Sequence, residues 1–358
     1  MNQPIFSPYR ICPLGAHVDH QGGVALGRTL SLGTSLSCLP SADGRIRINS
    51  RQLGEAEFQI GGEIDLTHWA RYAQAAARVL EGRIQRGMLA EVDGPLVGAG
   101  LSSSASVGLA YLKALAGLND LDLSAEELVE LDHQLETGQL GLQNGLLDPL
   151  TIVHGRQDAL LFMDTNTGSV TPVPDPPGAG ASWIIANSGT SRELTRSSFN
   201  QRVAECRQAA ALLQPGASAL SAVPREVFED RKRGLPPELR LRAEHYFGEV
   251  ERVRQGAQAW AEADLASFGQ LMNQSCGSSI RNYGSSSPVL VELHELASST
   301  PGIHGSRFSG GGYGGCVVAL AERERADGAA LSIAERFSSR HPELRPSAFV
   351  AGMGDGLR

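Results

Sequence analysis

No charged residue interrupts the chain from Gly94 to Leu112. An uncharged run of that length is either a membrane span or the interior of a folded domain. Its first half favours the second reading. Val97-Gly98-Ala99-Gly100-Leu101-Ser102-Ser103-Ser104-Ala105 mixes glycine and serine as a buried loop does, and from Ser102 onward a cap-type residue leads into a helix through Leu115. Such a loop suits a phosphate. Glycines let the backbone approach closely, the unpaired N–H groups of a helix start point at the anion, and serine hydroxyls can bond phosphate or a metal. Taken alone, the same residues read equally well as a small-residue loop ahead of a capped helix.

At 358 residues the chain exceeds the ~250–300 at which single cores stop growing, so two domains are expected. The net charge of -8 argues against nucleic acid or an anionic membrane as the main partner, since either requires a basic face. The five cysteines, Cys12, Cys38, Cys206, Cys276 and Cys316, are scattered without a Cys-x-x-Cys pair, which fits reduced thiols and gives no zinc site. Met1-Asn2-Gln3-Pro4-Ile5 has no basic stretch ahead of an apolar run. The expectation is a soluble, cytoplasmic protein. Its oligomeric state is not legible.

Along the chain, Leu30–Leu39 and Arg45–Ser50 alternate as strands joined through Ala42-Asp43-Gly44. A helix is expected from about Trp69 to Arg86. The Ser-x-x-Glu box of Ser124-Ala125-Glu126-Glu127 opens another, with Leu128, Leu131 and Leu135 on one face. Thr171–Gly178 holds four prolines and is expected to be irregular, a boundary or long surface turn. Arg233-Gly234-Leu235-Pro236-Pro237 reads as a loop between helices. Further helices are expected at Phe199–Leu213, Leu239–Ala263 and Leu265–Cys276, and a strand at Cys316–Leu320. This mixed, non-repeating order suggests α+β.

Three glycine-rich stretches compete for a nucleotide. Gly22–Thr29 has P-loop spacing, but Arg28 stands in the lysine's place and strands follow, so it reads as a turn. Gly98-Ala99-Gly100 begins like a dinucleotide fingerprint, yet Ser103 replaces the third glycine. Ser309-Gly310-Gly311-Gly312-Tyr313-Gly314-Gly315 is dense enough to imply positive φ or a close backbone approach.

In this order and spacing the three segments resemble the superfamily of galactokinase, homoserine kinase, mevalonate kinase and phosphomevalonate kinase, nearly end to end. Pro8-Tyr9-Arg10-Ile11-Cys12-Pro13-Leu14-Gly15-Ala16-His17-Val18-Asp19-His20 is similar to the galactokinase signature Pro-Gly-Arg-Val-Asn-Leu-Ile-Gly-Glu-His-Thr-Asp-Tyr. Gly98–Ser106 resembles the family's phosphate loop and Ser306–Cys316 its third motif. Arg242–His245 with Gly248–Val250, and Asp264–Ser275, also resemble galactokinase segments. The resemblance implies a two-domain α+β fold. Residues 1–178 would form a domain like ribosomal protein S5 domain 2, residues 179–358 a ferredoxin-like domain, with the site between them.

Residue roles follow from the resemblance alone. Asp148, in Gly145-Leu146-Leu147-Asp148-Pro149, occupies the catalytic aspartate's place and would be the base for a sugar's anomeric hydroxyl. Arg10 would supply positive charge for phosphoryl transfer, which depends on positioning and charge stabilisation. ATP would lie on Gly98, Ala99, Gly100, Leu101, Ser102, Ser103 and Ser104. Mg2+ would take Glu136 and Ser104, or Ser103 in its stead; one carboxylate, a hydroxyl, waters and phosphate oxygens suit that ion. His17, Asp19 and Gly312 would meet the sugar.

The departures bear on the substrate. Ala16 replaces a glutamate that approaches the C6 hydroxyl in galactokinases, Tyr9 a glycine, His20 a tyrosine and Phe199 a sugar-contacting tyrosine. Losing the glutamate removes an acceptor and a negative charge. The run from Pro8 to Gly23 resembles the galacturonokinases, which implies a sugar acid carrying a C6 carboxylate as substrate. His20, Arg28 or a backbone N–H near Tyr9 are the candidates to receive that carboxylate. The alternatives are a galactokinase with altered C6 specificity and a sugar sensor without turnover.

Overall fold

The structure is a computed structural model that describes residues 4–178, 180–190 and 196–358. Its strands fall into two sheets. The first takes β1 (Ile5–Leu14), β2 (Val24–Ser41), β3 (Arg45–Ser50), β4 (Gly54–Gln59), β5 (Gly87–Asp93), β6 (Ala159–Asp164) and β7 (Ser169–Pro174), in the order β4-β3-β5-β2-β6-β7, with β1 also paired to β2. Only β3 and β5 run parallel. The second takes β8 (Ala181–Asn187), β9 (Ile303–Phe308), β10 (Cys316–Glu322) and β11 (Ser347–Ala351), all antiparallel, in the order β11-β8-β10-β9.

The helices are α1 (Arg71–Val79), α2 (Ser103–Leu118), α3 (Ala125–Gln134), α4 (Leu147–His154), α5 (Arg196–Leu213), α6 (Arg225–Arg231), α7 (Pro237–Ala261), α8 (Leu265–Ser278), α9 (Pro288–Ser298) and α10 (Ala326–Arg340). α1 and α2 cover the first sheet with small and branched side chains; Ala73, Ala76, Leu109 and Leu112 meet Leu36, Ile46, Ile48 and Met88. A second core joins the halves of the chain. Tyr9, Ile11, Leu26 and Leu30 of β1 and β2 pack with Trp183, Val318, Trp260, Phe268 and Met272 from the second half. The end of the chain also returns to the first sheet, where Phe6 and Arg358 exchange backbone hydrogen bonds of 2.8 and 3.0 Å.

Several local expectations meet their residues. Ser124 and Glu127 form both bonds of the capping box. Gly22, at φ 67°, closes a short turn over Asp19–Gln21 before β2 begins, so this glycine pair is a turn into a strand. Others need correction. The proline segment is regular for half its length. Ser169–Pro174 pairs with β6 as the edge strand, where a proline's missing donor costs no ladder bond on its open side. α1 stops at Val79, well short of Arg86, because the chain turns at Gly82 with φ 80°. Among the described residues no helix is long and apolar enough to cross a membrane. The uncharged run is instead the loop and buried helix α2.

Candidate active site

A cavity of about 720 Å³ lies where the two halves meet, and it collects most of the motif residues. Three elements converge on Asp148. Arg10, buried on β1, donates from Nε to Asp148 Oδ1 at 2.6 Å. Ser102 precedes α2 with φ 55° and donates from Oγ to Oδ2, so this serine does not cap its own helix. Asp148 itself stands in the first turn of α4. Both carboxylate oxygens are thus oriented before any ligand arrives. Such charge-assisted bonds are the strong ones.

The glycine–serine loop ahead of α2 is fixed from within. Gly98 and Gly100 hold φ near 80°, and Ser103 Oγ accepts from the Gly98 N–H at 3.2 Å. Ala99 and Leu101 are buried in the second core, so their backbone alone can serve a phosphate, and Leu101 carries the carbonyl that accepts from Arg10 N. Ser103 and Ser104 both face the cavity, and Ser103's bond within the loop distinguishes the two. The third glycine loop explains its own composition here. A Cβ on Gly100 would lie 2.6 Å from Ser309 O, and one on Gly315 would lie 2.5 Å from Ala99 O. Two backbones touch, and only glycine permits it. Gly310 and Gly311 line the cavity; Gly312 backs instead onto Ser285.

Glu136 lies in a wide π-type turn, Leu135–Gln139, that continues α3, a departure common at functional sites. It is buried except for its face on the cavity, and Asn144 Nδ2 donates to Oε2. Among the described residues no three His, Cys, Asp or Glu side chains could enclose a metal by themselves. One carboxylate and one hydroxyl at an open cavity fit Mg2+ held jointly with nucleotide phosphates and water.

At the other end of the cavity, Asp19 accepts from the Gly145 N–H at 3.1 Å. Burial, then the nearby Asp148 charge, push its carboxyl up to about 6, against the pull of that backbone bond. His17, at φ 64°, stacks on Tyr283 at 4.3 Å and is hydrogen-bonded through Nε2 to Ser285 Oγ at 2.9 Å. His20 is bonded to Tyr283 Oη at 2.9 Å and meets Phe199 edge-on at 5.9 Å. Burial, then Arg207 and His245, hold its imidazole at about 3, so it is neutral. Ala16 lines the wall among Cys12, Val129, Leu147 and Leu150. Arg28 pairs with Asp175 at 2.5 and 2.6 Å and does not line the cavity, and Tyr9 is fully buried. Neither His20 nor Arg28 therefore brings a positive charge to this end.

Sequence reasoning gave no role to two groups. Leu53, Trp69, Tyr72, Val92, Val97 and Tyr111 make an apolar end of the cavity suited to a flat ring. Nothing in their spacing joins them; Leu53 and Val97, at 48% and 56% exposure, are oddly exposed, which only the fold reveals. The other group is a brace. Glu249 of α7 accepts from the Gly15 N–H at 2.8 Å and pairs with Arg252 and the fully buried Arg307, while His245 is bonded to Ala16 O at 3.0 Å. Burial would raise the Glu249 carboxyl, but the two arginines hold it down at about 2.

Residues 71–156 match the GHMP kinases N terminal domain and residues 257–339 the GHMP kinases C terminal domain. A galacturonokinase of Arabidopsis thaliana is 37% identical over 95% of this chain and 88% of its own length. The chain belongs to the GHMP kinases. A galactokinase of Roseiflexus is 34% identical over 90% of this chain and 84% of that one. The galactokinase of Lactococcus lactis, solved in complex with galactose, superposes with a TM-score of 0.92 at 28% identity, covering 99% of this chain and 94% of that one. The fold is the two-domain GHMP kinase fold, mixed α+β, and the protein is a sugar kinase of the galactokinase and galacturonokinase type. Kinases of this family use ATP as phosphoryl donor.

Proposed function

We propose that this kinase transfers the γ-phosphoryl group of ATP to the anomeric hydroxyl of D-galacturonate, giving galacturonate 1-phosphate and ADP. The observation that carries this reading is the wall at Ala16, small, apolar and lacking an acid where the galactokinase signature has glutamate. A glutamate there would stand against a C6 carboxylate. Two such charges ~4 Å apart repel by roughly 4 kcal/mol at an effective dielectric of 20. Phe199 removes a further hydroxyl, and the 37% identity to a galacturonokinase points the same way.

In this reading Asp148 takes the hydroxyl proton on a carboxylate oxygen as the sugar oxygen bonds to the γ-phosphorus and the bond to the ADP oxygen breaks. Arg10 holds Asp148 in place and sets its guanidinium toward the transferring group. Asp19 and His17 hold sugar hydroxyls, and the backbone N–H groups of Gly98–Ser104 receive the phosphates. Ser104 and Glu136 would hold Mg2+, which when bound neutralises charge on the β- and γ-phosphates. Residues 1–178 and 179–358 are taken as the two domains, and the cytoplasm as the site of action; all five cysteines are unpaired.

A coupled ADP-release assay over sugars differing at C6 tests this. Galacturonate should be preferred, and Ala16→Glu should lower its kcat/KM by about 100- to 1000-fold, following the repulsion above. Wild-type protein that phosphorylates galactose at least as efficiently refutes the substrate.

A further inference from the structure

Asp132 has no part in the chemistry described above, yet it is a carboxylate in the interior of the fold. It is completely buried, and neither carboxylate oxygen has a hydrogen-bond partner. A fold rarely keeps such a group unless a cation or a proton answers it. Burial disfavours its charge most, and Glu136 and then Asp148 add to that.

Its place is specific. Asp132 lies one helical turn before Glu136, so the two share a face where α3 runs into the π-type turn. Across from it on α2 is Gly108. A Cβ there would lie 2.6 Å from Asp132 Oδ1, so glycine makes the seat for this carboxylate. Gly108 in turn lies one helical turn after Ser104. Ser104 and Glu136 therefore face the cavity, while Gly108 and Asp132 stack a turn behind them.

We propose that Asp132 supplies a second negative charge to the cation seat made by Ser104 and Glu136, raising its affinity for a divalent cation from behind Glu136. This rests on the reading that Ser104 and Glu136 hold the cation. A cation entering the seat meets two buried carboxylates rather than one, in surroundings where charges act strongly. Before it enters, the same carboxylates repel each other. Asp132 thus costs the cation-free protein stability and adds affinity for the cation. A carboxyl that served packing alone would not combine those two effects.

The test uses the full-length chain with Mn2+ as probe, in the presence of a non-hydrolysable ATP analogue. Bound Mn2+ is followed by electron paramagnetic resonance, and melting is recorded with and without the cation. Asp132→Asn should weaken Mn2+ binding about 10- to 100-fold, as loss of an outer carboxylate does. It should also melt higher than wild type without cation and gain less from adding it. Gly108→Ala, which crowds the carboxylate from its seat, should weaken Mn2+ in the same direction. Wild-type Mn2+ affinity in Asp132→Asn overturns the proposal, as does a cation-free melting point below wild type, which would make Asp132 a structural group. Glu136→Gln separates the two readings. If it binds Mn2+ as wild type does, the seat itself has been misplaced. If it loses the ion while Asp132→Asn keeps it, only the role of Asp132 falls.

Discussion

The two ends of the cavity are built differently. The end proposed for the nucleotide is mostly backbone and apolar side chains, with glycine loops in contact and the exposed Val97 beside them. The end proposed for the sugar is a braced polar network in which α7 reaches across to hold the backbone at Gly15 and Ala16. A phosphate chain with a flat ring can be recognised by a shape that any small-residue loop provides. Sugar hydroxyls need donors and acceptors at fixed places, and these hold only if the second half of the chain locks the first.

Breaking the brace should have the largest effect. Glu249→Ala leaves Arg307 and Arg252 without their carboxylate and should cost about 3–5 kcal/mol in denaturant unfolding. Its sugar KM should rise while KM for ATP stays near wild type, whereas Glu249→Gln, which keeps an acceptor for Gly15 N–H, should recover much of the sugar KM. Equal losses for both substrates would erase the contrast between the ends.

The pH dependence sharpens it further. Asp19 sits at about 6 against an ordinary 3.8, so the folded chain binds the extra proton between those values. Its contribution to stability is therefore present below pH 4 and is lost as pH rises from about 4 to 6. Sugar recognition has the opposite sign, because the ionised form must accept hydroxyl donors. The profile of kcat/KM for the sugar should fall on the acid side with a midpoint near 6, and Asp19→Asn should remove that limb. A limb centred below 5 would contradict the role given to Asp19.

The smallest effect belongs to the nucleotide end. Trp69→Ala removes one wall of an apolar pocket and should raise KM for ATP about tenfold, the scale of one lost base stack, with sugar KM unchanged. A larger loss in sugar binding would mean that the two ends are coupled.

Local rules made much of this legible. The capping box at Ser124, the turn at Gly44 and the loop ahead of α2 depend on residues within a few positions of one another. The motif residues Arg10, Glu136 and Asp148 could be named because a family pattern preserves their spacing. The proline segment misled because a proline is excluded only from ladders that need its donor, and whether a strand is an edge is a property of the sheet. Likewise the charge on His20, the pairing of Arg28 with Asp175 and the brace from Glu249 depend on contacts between residues far apart in sequence. Sequence alone determined which groups are present: a glycine–serine loop, a carboxylate at Asp148, an arginine at Arg10 and an alanine at position 16. Tertiary structure decided what each charge faces, because burial and distance set the strength of a charge and neither is written in local order.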